Sequence, residues 1–234
     1  LSPLPAYADF IEGSAGLGSS EPHIPEPLLF DLVRPLGARK GELEVNTVLQ
    51  KSSQGNQLEW APEIEYAIAD GLALEFELPG ENSKLTDYKI AVQGTLNHNF
   101  NNPNLIQGWQ VIVKKNRESN KYSADALYIN GYRFADKWST LNMVGIRKSE
   151  FGGNNRLITL INNSVFYDLN PKLTYGIEFN HQIDASGTWR YSYTPQIHTD
   201  INKHLTIQAG LSFSRLNARK KSEELLALRV IYAF

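Results

Sequence analysis

Leu173-Thr174-Tyr175-Gly176-Ile177-Glu178-Phe179-Asn180 sets apolar Leu173, Tyr175, Ile177 and Phe179 against Thr174, Gly176, Glu178 and Asn180. A two-residue period is that of a strand with one apolar and one polar face. Working outward, turn signals recur at Asp70-Gly71, Asn102-Pro103, Asp136-Lys137, Asn170-Pro171 and Asn202-Lys203, and Phe234 falls one interval further on. The interval is roughly 33 residues, long enough for one β-hairpin. Hairpins in unbroken succession, closed by a strand with Leu226, Leu228, Val230, Tyr232 and Phe234 at alternate positions, predict an all-β fold, a transmembrane antiparallel up-and-down β-barrel.

Twelve strands are expected, over about 42–50, 57–69, 72–79, 85–99, 104–114, 121–133, 138–149, 155–167, 172–182, 188–199, 204–214 and 224–234. Their lengths suit tilted strands crossing a hydrocarbon layer, and an even count leaves both termini on the periplasmic side. The connections at 70, 102, 136, 170 and 202 read as tight, whereas those at 51–56, 80–84, 115–120, 150–155, 183–187 and 216–223 are longer and richer in Gly, Ser, Asn and charge. Short periplasmic turns and longer outer loops are the pattern of a bacterial outer-membrane barrel. Parity is weakest over 124–130 and 140–146, where apolar and polar residues alternate poorly.

Residues 1–40 differ from the barrel segment 41–234. They hold Pro3, Pro5, Pro22, Pro25, Pro27 and Pro35 and lack alternation, which predicts an N-terminal proline-rich extension, either an extended periplasmic arm or mouth plug or a poorly ordered leader. The stretch Pro27-Leu28-Leu29-Phe30-Asp31-Leu32-Val33 is too apolar for a free tail and suits either a short helical turn or a plug on the periplasmic mouth.

The formal net charge is −2, and no basic, aromatic-studded segment argues for nucleic acid. Cysteine is absent, which removes disulfides, thiol catalysis and Cys-based metal sites. No apolar run approaches a membrane helix, and a barrel does not need one because only alternate residues meet lipid. A signal peptide is expected to have preceded Leu1.

Outward parity places aromatic residues near strand ends. Trp60, Tyr66, Trp109, Trp189, Tyr191, Tyr193, Tyr232 and Phe234 are the candidate membrane girdle. Cations in and beside the longer loops, Lys51, Lys84, Lys114, Lys115, Arg117, Lys121, Lys148, Arg156, Arg215, Arg219, Lys220 and Lys221, suit lipopolysaccharide phosphates.

Inward parity makes one wall acidic, with Glu42 and Glu44, then Glu59, Glu63 and Glu65, then Glu75 and Glu77. A tight turn at Asp70-Gly71 sets Glu65 opposite Glu75 and Glu63 opposite Glu77, and like charges face to face need compensation. Lys89, Arg190 and Arg229 are the candidate partners, Arg229 at the height of Glu44. Three arrangements meet the requirement: a charge network filling the lumen, a channel with a transverse field, or a cation held by carboxylates. Glu44, Glu63, Glu65, Glu75, Glu77, Lys89, Arg190 and Arg229 are therefore the candidate lumen and constriction residues. No resident metal or cofactor is expected.

A catalytic reading needs a nucleophile and base in reach of each other. His198, with Ser192 and Thr194 on its face, and outward His181, near Asn163 and Thr159, come nearest, whereas His98 and His204 sit beside periplasmic turns. None forms a recognisable hydrolase spacing, so no enzyme is expected.

The stretch from Trp60 to Pro79, WAPEIEYAIADGLALEFELP, resembles a hairpin of the bacterial barrels associated with the MetA pathway of phenol degradation. Their usual pattern is E-x-E-Y-G-L-T-D-x-L-x-L-E-x-x-x-P, and Ala67 stands here in place of its Gly. The resemblance implies an outer-membrane channel for small, hydrophobic or aromatic molecules. Leu226 to Phe234 is similar to the signal read by the outer-membrane assembly machinery, which implies that machinery as a partner. The expected function is a narrow channel or facilitator. The alternatives are a non-conducting scaffold that binds a periplasmic partner through residues 1–40, and an outer-membrane lipid hydrolase.

Overall fold

The computed structural model describes residues 22–96, 102–151, 156–216 and 223–234. Twelve long strands form the wall: β1 Leu43–Ser52, β2 Leu58–Ala69, β3 Leu72–Glu77, β4 Asp87–Thr95, β5 Leu105–Asn116, β6 Tyr122–Ala135, β7 Trp138–Phe151, β8 Arg156–Asn170, β9 Leu173–Asp184, β10 Trp189–Asp200, β11 Leu205–Leu216 and β12 Glu223–Ala233. Each pairs antiparallel with its neighbours in sequence, and β1 pairs with both β2 and β12, so the barrel closes. Closure leaves no strand edge with unpaired backbone groups, the condition for a sheet to exist in lipid. A two-rung hairpin, Gly80–Glu81 with Lys84–Leu85, projects between β3 and β4.

Strand β4 is described as far as Thr95 and β5 begins at Leu105, and the expected strand end at 99 lies outside the described residues. The turns at Asp70-Gly71, Asp136-Lys137 and Pro171-Lys172 are tight, and Gly71 takes the positive φ of 71° that the first of them requires. His98, Arg219, Lys220, Lys221 and the arm up to residue 21 lie outside the described residues.

The exterior is apolar. Ile64, Phe76, Ile90, Val144, Ile146, Leu211, Leu226 and Leu228 all stand exposed, as alternation in a lipid-facing wall demands. Trp60, Trp189 and Tyr191 sit near the loop ends of their strands, and Tyr66, Tyr232 and Phe234 near the turn ends. Trp109 and Tyr193 lie further into the span, Trp109 covering Gly94 and Tyr193 stacked on Phe213 at 5.1 Å.

The core lies inside the barrel, because residues 22–40 enter the lumen. Both ends of this segment are at the turn end of the wall. Arg133 donates to the His23 carbonyl at 2.8 Å, and Gly71 donates from its backbone to Ala38 at 2.6 Å. Between them the chain rises to an apex near Leu29–Asp31 and returns, with no helical turn in it. Leu28, Leu32 and Val33 are fully enclosed. The plug packs on two inner clusters: Val33 and Ala38 with Ala67, Ala73, Ala91, Ile112, Leu127 and Leu160, and Ile24 and Leu32 with Ile106, Ile129, Leu141, Met143 and Phe166.

Wall glycines give the plug side chains their space. A Cβ on Gly210 would lie 2.7 Å from Leu28 Cδ2, and one on Gly131 would lie 2.9 Å from Ile24 Cγ1. Such overlap forces displacement on one side or the other. In a Gly210→Val variant the plug is expected to lose its seat while the barrel keeps its heat-modifiable gel mobility. A cysteine replacing buried Leu32 should then react with a water-soluble maleimide at least tenfold faster than in the Gly210 background; equal rates would refute the seating.

Candidate functional site

An irregular segment inside a barrel has no sheet ladder for its own backbone, so side chains of the wall must supply the partners. They do so one by one. Glu178 on β9 accepts from the backbone N–H groups of Leu29 at 3.0 Å and Phe30 at 2.6 Å. Gln110 on β5 accepts from Val33 N–H at 2.9 Å and donates to the Asp31 carbonyl at 2.8 Å. Gln93 on β4 donates to the Arg34 carbonyl at 2.7 Å, and Thr95 Oγ1 accepts from Gly37 N–H at 2.8 Å. Asn162 and Asn180 donate to Glu178 in turn and hold its carboxylate in place.

Charge supplies the second set of contacts. The register sets Glu63 opposite Glu77, Glu65 opposite Glu75, and Glu44 opposite Glu65. Lys89, paired with Glu77 across β3 and β4, carries its ammonium among these acids and the plug: 2.6 Å from Asp31, 2.8 Å from Glu75, 3.9 Å from Glu63, and in contact with Glu77. Lys114 reaches the other oxygen of Asp31 at 3.2 Å. Arg229 lies opposite Val48 rather than at the height of Glu44, yet its guanidinium meets plug Glu26 at 3.1 Å. Asn46 donates to Glu65 at 2.6 Å, and Arg34 pairs with Glu42 at 2.9 Å.

Glu44, Glu63, Glu65, Glu75, Glu77, Lys89 and Arg229 thus come together around the plug. Arg190 stands apart, in the outer half of the lumen beside Gln182 and Ser192. Sequence reading missed Glu26, Asp31 and Arg34 as partners of the wall, together with Gln93, Gln110 and Glu178. Their signal was the apolar 27–33 stretch combined with amides at inward positions.

Above the plug a cavity of about 640 Å³ opens toward the longer loops. Leu29, Phe30 and Asp31 form its floor. One side sets the polar groups of Gln50, Ser52, Asn180, Gln182, Ser192, Ser212 and Ser214 among Glu59, Arg190 and Glu223; the opposite one carries Lys114 and the Asp125–Arg147 pair, joined by hydrogen bonds of 2.8 and 2.6 Å. At the turn end a smaller space of about 110 Å³ lies between the plug and the wall.

Burial and the neighbouring Glu44 carboxylate push the Glu26 carboxyl up to about 8, against the opposing pull of Arg229. At Asp31 burial works upward too, but Lys89 and Lys114 win and hold that carboxyl below the ordinary range.

Among the described residues, the two histidines singled out from the sequence have other partners. His198 shares a 2.8 Å hydrogen bond with Gln196 and packs on Phe166. Outward His181 accepts from the Trp189 indole at 3.3 Å and stacks on that ring.

A family model described as HAEPLYID-like matches residues 22–137, which takes in the plug and β1–β6. No protein of curated function matches the chain. Among solved structures, the barrel is similar to the KdgM porin in complex with disordered oligogalacturonate, at 9% identity and a TM-score of 0.65, over 82% of this chain and 99% of that one. The NanC porin gives 11% identity and a TM-score of 0.64, over 81% and 98%. Omp33 of Acinetobacter baumannii gives 10% identity and a TM-score of 0.50, over 83% and 99%. These likenesses fix the fold rather than the cargo, and the matching family model is not that of the phenol-pathway barrels. With its apolar exterior and closed sheet, the chain is a twelve-stranded antiparallel β-barrel of transmembrane type, and it shares that fold with these porins.

Proposed function

We propose that this barrel is a gated outer-membrane channel for small polar solutes, with residues 22–40 as its gate. The observation that carries the reading is the polar cavity open to the loop end and floored by the plug. Its volume falls in the range of small-molecule sites. Serine, glutamine and asparagine side chains beside a charged wall suit a polyhydroxylated solute. They support such a cargo over the hydrophobic or aromatic one that the phenol-pathway resemblance implied. The KdgM porin, which shares the fold, was solved in complex with oligogalacturonate, a precedent in the same direction. In this reading Glu44, Glu63, Glu65, Glu75, Glu77, Lys89 and Arg229 lock the plug, and Arg190 meets solute in the vestibule. Loop cations such as Lys51 and Lys84 face lipopolysaccharide phosphates, and the last strand is the client signal for the assembly machinery.

The filled lumen favours a second reading, a non-conducting scaffold. Planar-bilayer recording separates the two. The natural chain is expected to show rare, brief openings, and a Leu28→Asp variant, whose charge cannot be buried without a partner, sustained conductance. Silence from both would leave the scaffold.

Two further outcomes test the lock. Lys89→Met strands Asp31, Glu63, Glu75 and Glu77 without their shared cation, and loss of one partner of a buried ionic group costs about 3–5 kcal/mol. Urea unfolding in detergent should show a loss of that order. The pH response follows from Glu26, which Glu44, Glu63, Arg34 and Arg229 surround. Seated, it keeps its proton up to about 8; released into water, it loses it near the ordinary 4.5. Seating therefore weakens as pH rises between those values and levels off above them. Asp31 acts oppositely, but only below its ordinary 3.8. Open probability is expected to climb from pH 5 to 8, and Glu26→Gln to flatten the climb.

A further inference from the structure

On the outer wall, scattered single polar residues such as Thr47 and His181 interrupt the aliphatic and aromatic surface, whereas β5–β8 carry a continuous polar row. There Gln107, Asn130, Asn142 and Asn163 fall in phase with outward Trp109, Tyr128, Val144 and Ile161, so their amides face away from the lumen. Register joins them into one row: Gln107 lies opposite Asn130, Asn130 opposite Asn142, and Asn142 opposite Asn163. Asn163 donates to Asn142 Oδ1 at 2.7 Å. Outward Thr140 and Thr159 flank the row. On the outer faces of β11 and β12 the comparable positions are Ile207, Leu211, Leu226, Leu228 and Val230.

Gln107 lies near the turn end of β5, but Asn142 and Asn163 lie within the span. Asn163 lies midway along β8 between outward Leu157 and Leu169, and Asn142 lies between Trp138 and Lys148 on β7. An amide offers two donors and a carbonyl acceptor, and hydrocarbon satisfies neither. Among the described residues the bond from Asn163 to Asn142 uses one donor and one acceptor of the pair, on a surface where polarity calls for a further reason.

We infer that the barrel pairs with a second copy of itself through the β5–β8 wall, with the amide row at the centre of the contact. Amides are self-complementary, since each both donates and accepts, and two copies inserted in the same sense can meet about a two-fold axis along the membrane normal, which sets one patch against itself. The row climbs the tilted strands obliquely, so the copy's row crosses it. With the crossing set at Asn142 and Asn163, the pair already joined by a hydrogen bond, Gln107 lies away from the axis. Interhelical amide pairing in bilayers is the helical counterpart of such a contact.

The absence of cysteine makes the test clean. Full-length chains carrying Asn142→Cys or Asn163→Cys, oxidised in outer membranes, are expected to give a disulfide-linked species of twice the chain mass. Ile64→Cys, outward on β2 half the circumference away from β8, is expected to give none. The natural chain should sediment in mild detergent with twice the protein mass of an Asn142→Leu, Asn163→Leu variant that retains heat-modifiable mobility. A natural chain that sediments as a monomer overturns the inference. So does cross-linking as strong at Ile64→Cys as at the amides, or cross-linking to a chain of different mass.

Discussion

An irregular backbone inside a closed sheet must find a hydrogen-bond partner for nearly every N–H and C=O it buries, and much of the interior of this barrel answers to that demand. The plug cannot borrow from the wall's own ladder, which is saturated by strand pairing. Glu178 on β9, Gln110 on β5, and Gln93 and Thr95 on β4 meet it instead, each at the height where a particular plug residue passes. Neutral amides serve where both a donor and an acceptor are needed, and a carboxylate where two N–H groups converge. The same positions in an open pore would be free to vary, because water would satisfy the strand faces.

Electrostatics adds a constraint of a different kind. The acids of β1–β3 face one another across the ladder, so Lys89 and Arg229 serve both to join wall to plug and to keep the wall from repelling itself. A lysine shared by Asp31, Glu75 and Glu77 is better understood as a clamp than as a surface ion pair, since the Lys89, Glu75 and Glu77 side chains are buried.

The architecture was legible because period and turn chemistry are local properties. Alternation in Leu173–Asn180 and the Asp70-Gly71 turn were sufficient to place strands, and from them the facing of Glu63 with Glu77 followed. What sequence could not give was the position of residues 22–40, since a segment without periodicity carries no direction. Arg190 was grouped with the acids by inward parity alone, which says nothing about height, and the structure places it in the outer vestibule. Parity also failed over 124–130 and 140–146 for a physical reason. The outward amides Asn130 and Asn142 interrupt the apolar side of the alternation, and Leu127, Ile129, Leu141 and Met143 face inward against the plug. A barrel with an apolar plug is apolar on both faces in places, and there a two-residue period loses its contrast.

The plug is a loop whose two limbs both leave at the turn end, one held by Arg133 and the other tied to β2 by the hydrogen bond that Gly41 N–H donates to the Ala67 carbonyl. Tension applied to the His23 limb from the periplasm would act on its contacts in sequence: first the hydrogen bond at His23, then the ion pair at Glu26, then the pair of bonds to Glu178. Loading one contact at a time is peeling, which needs far less force than shearing all of them together, whereas a solute pressing from the loop end would load the whole set at once. The same segment is therefore weak toward the inside of the cell and strong toward the outside, a mechanical asymmetry that follows from where its ends emerge.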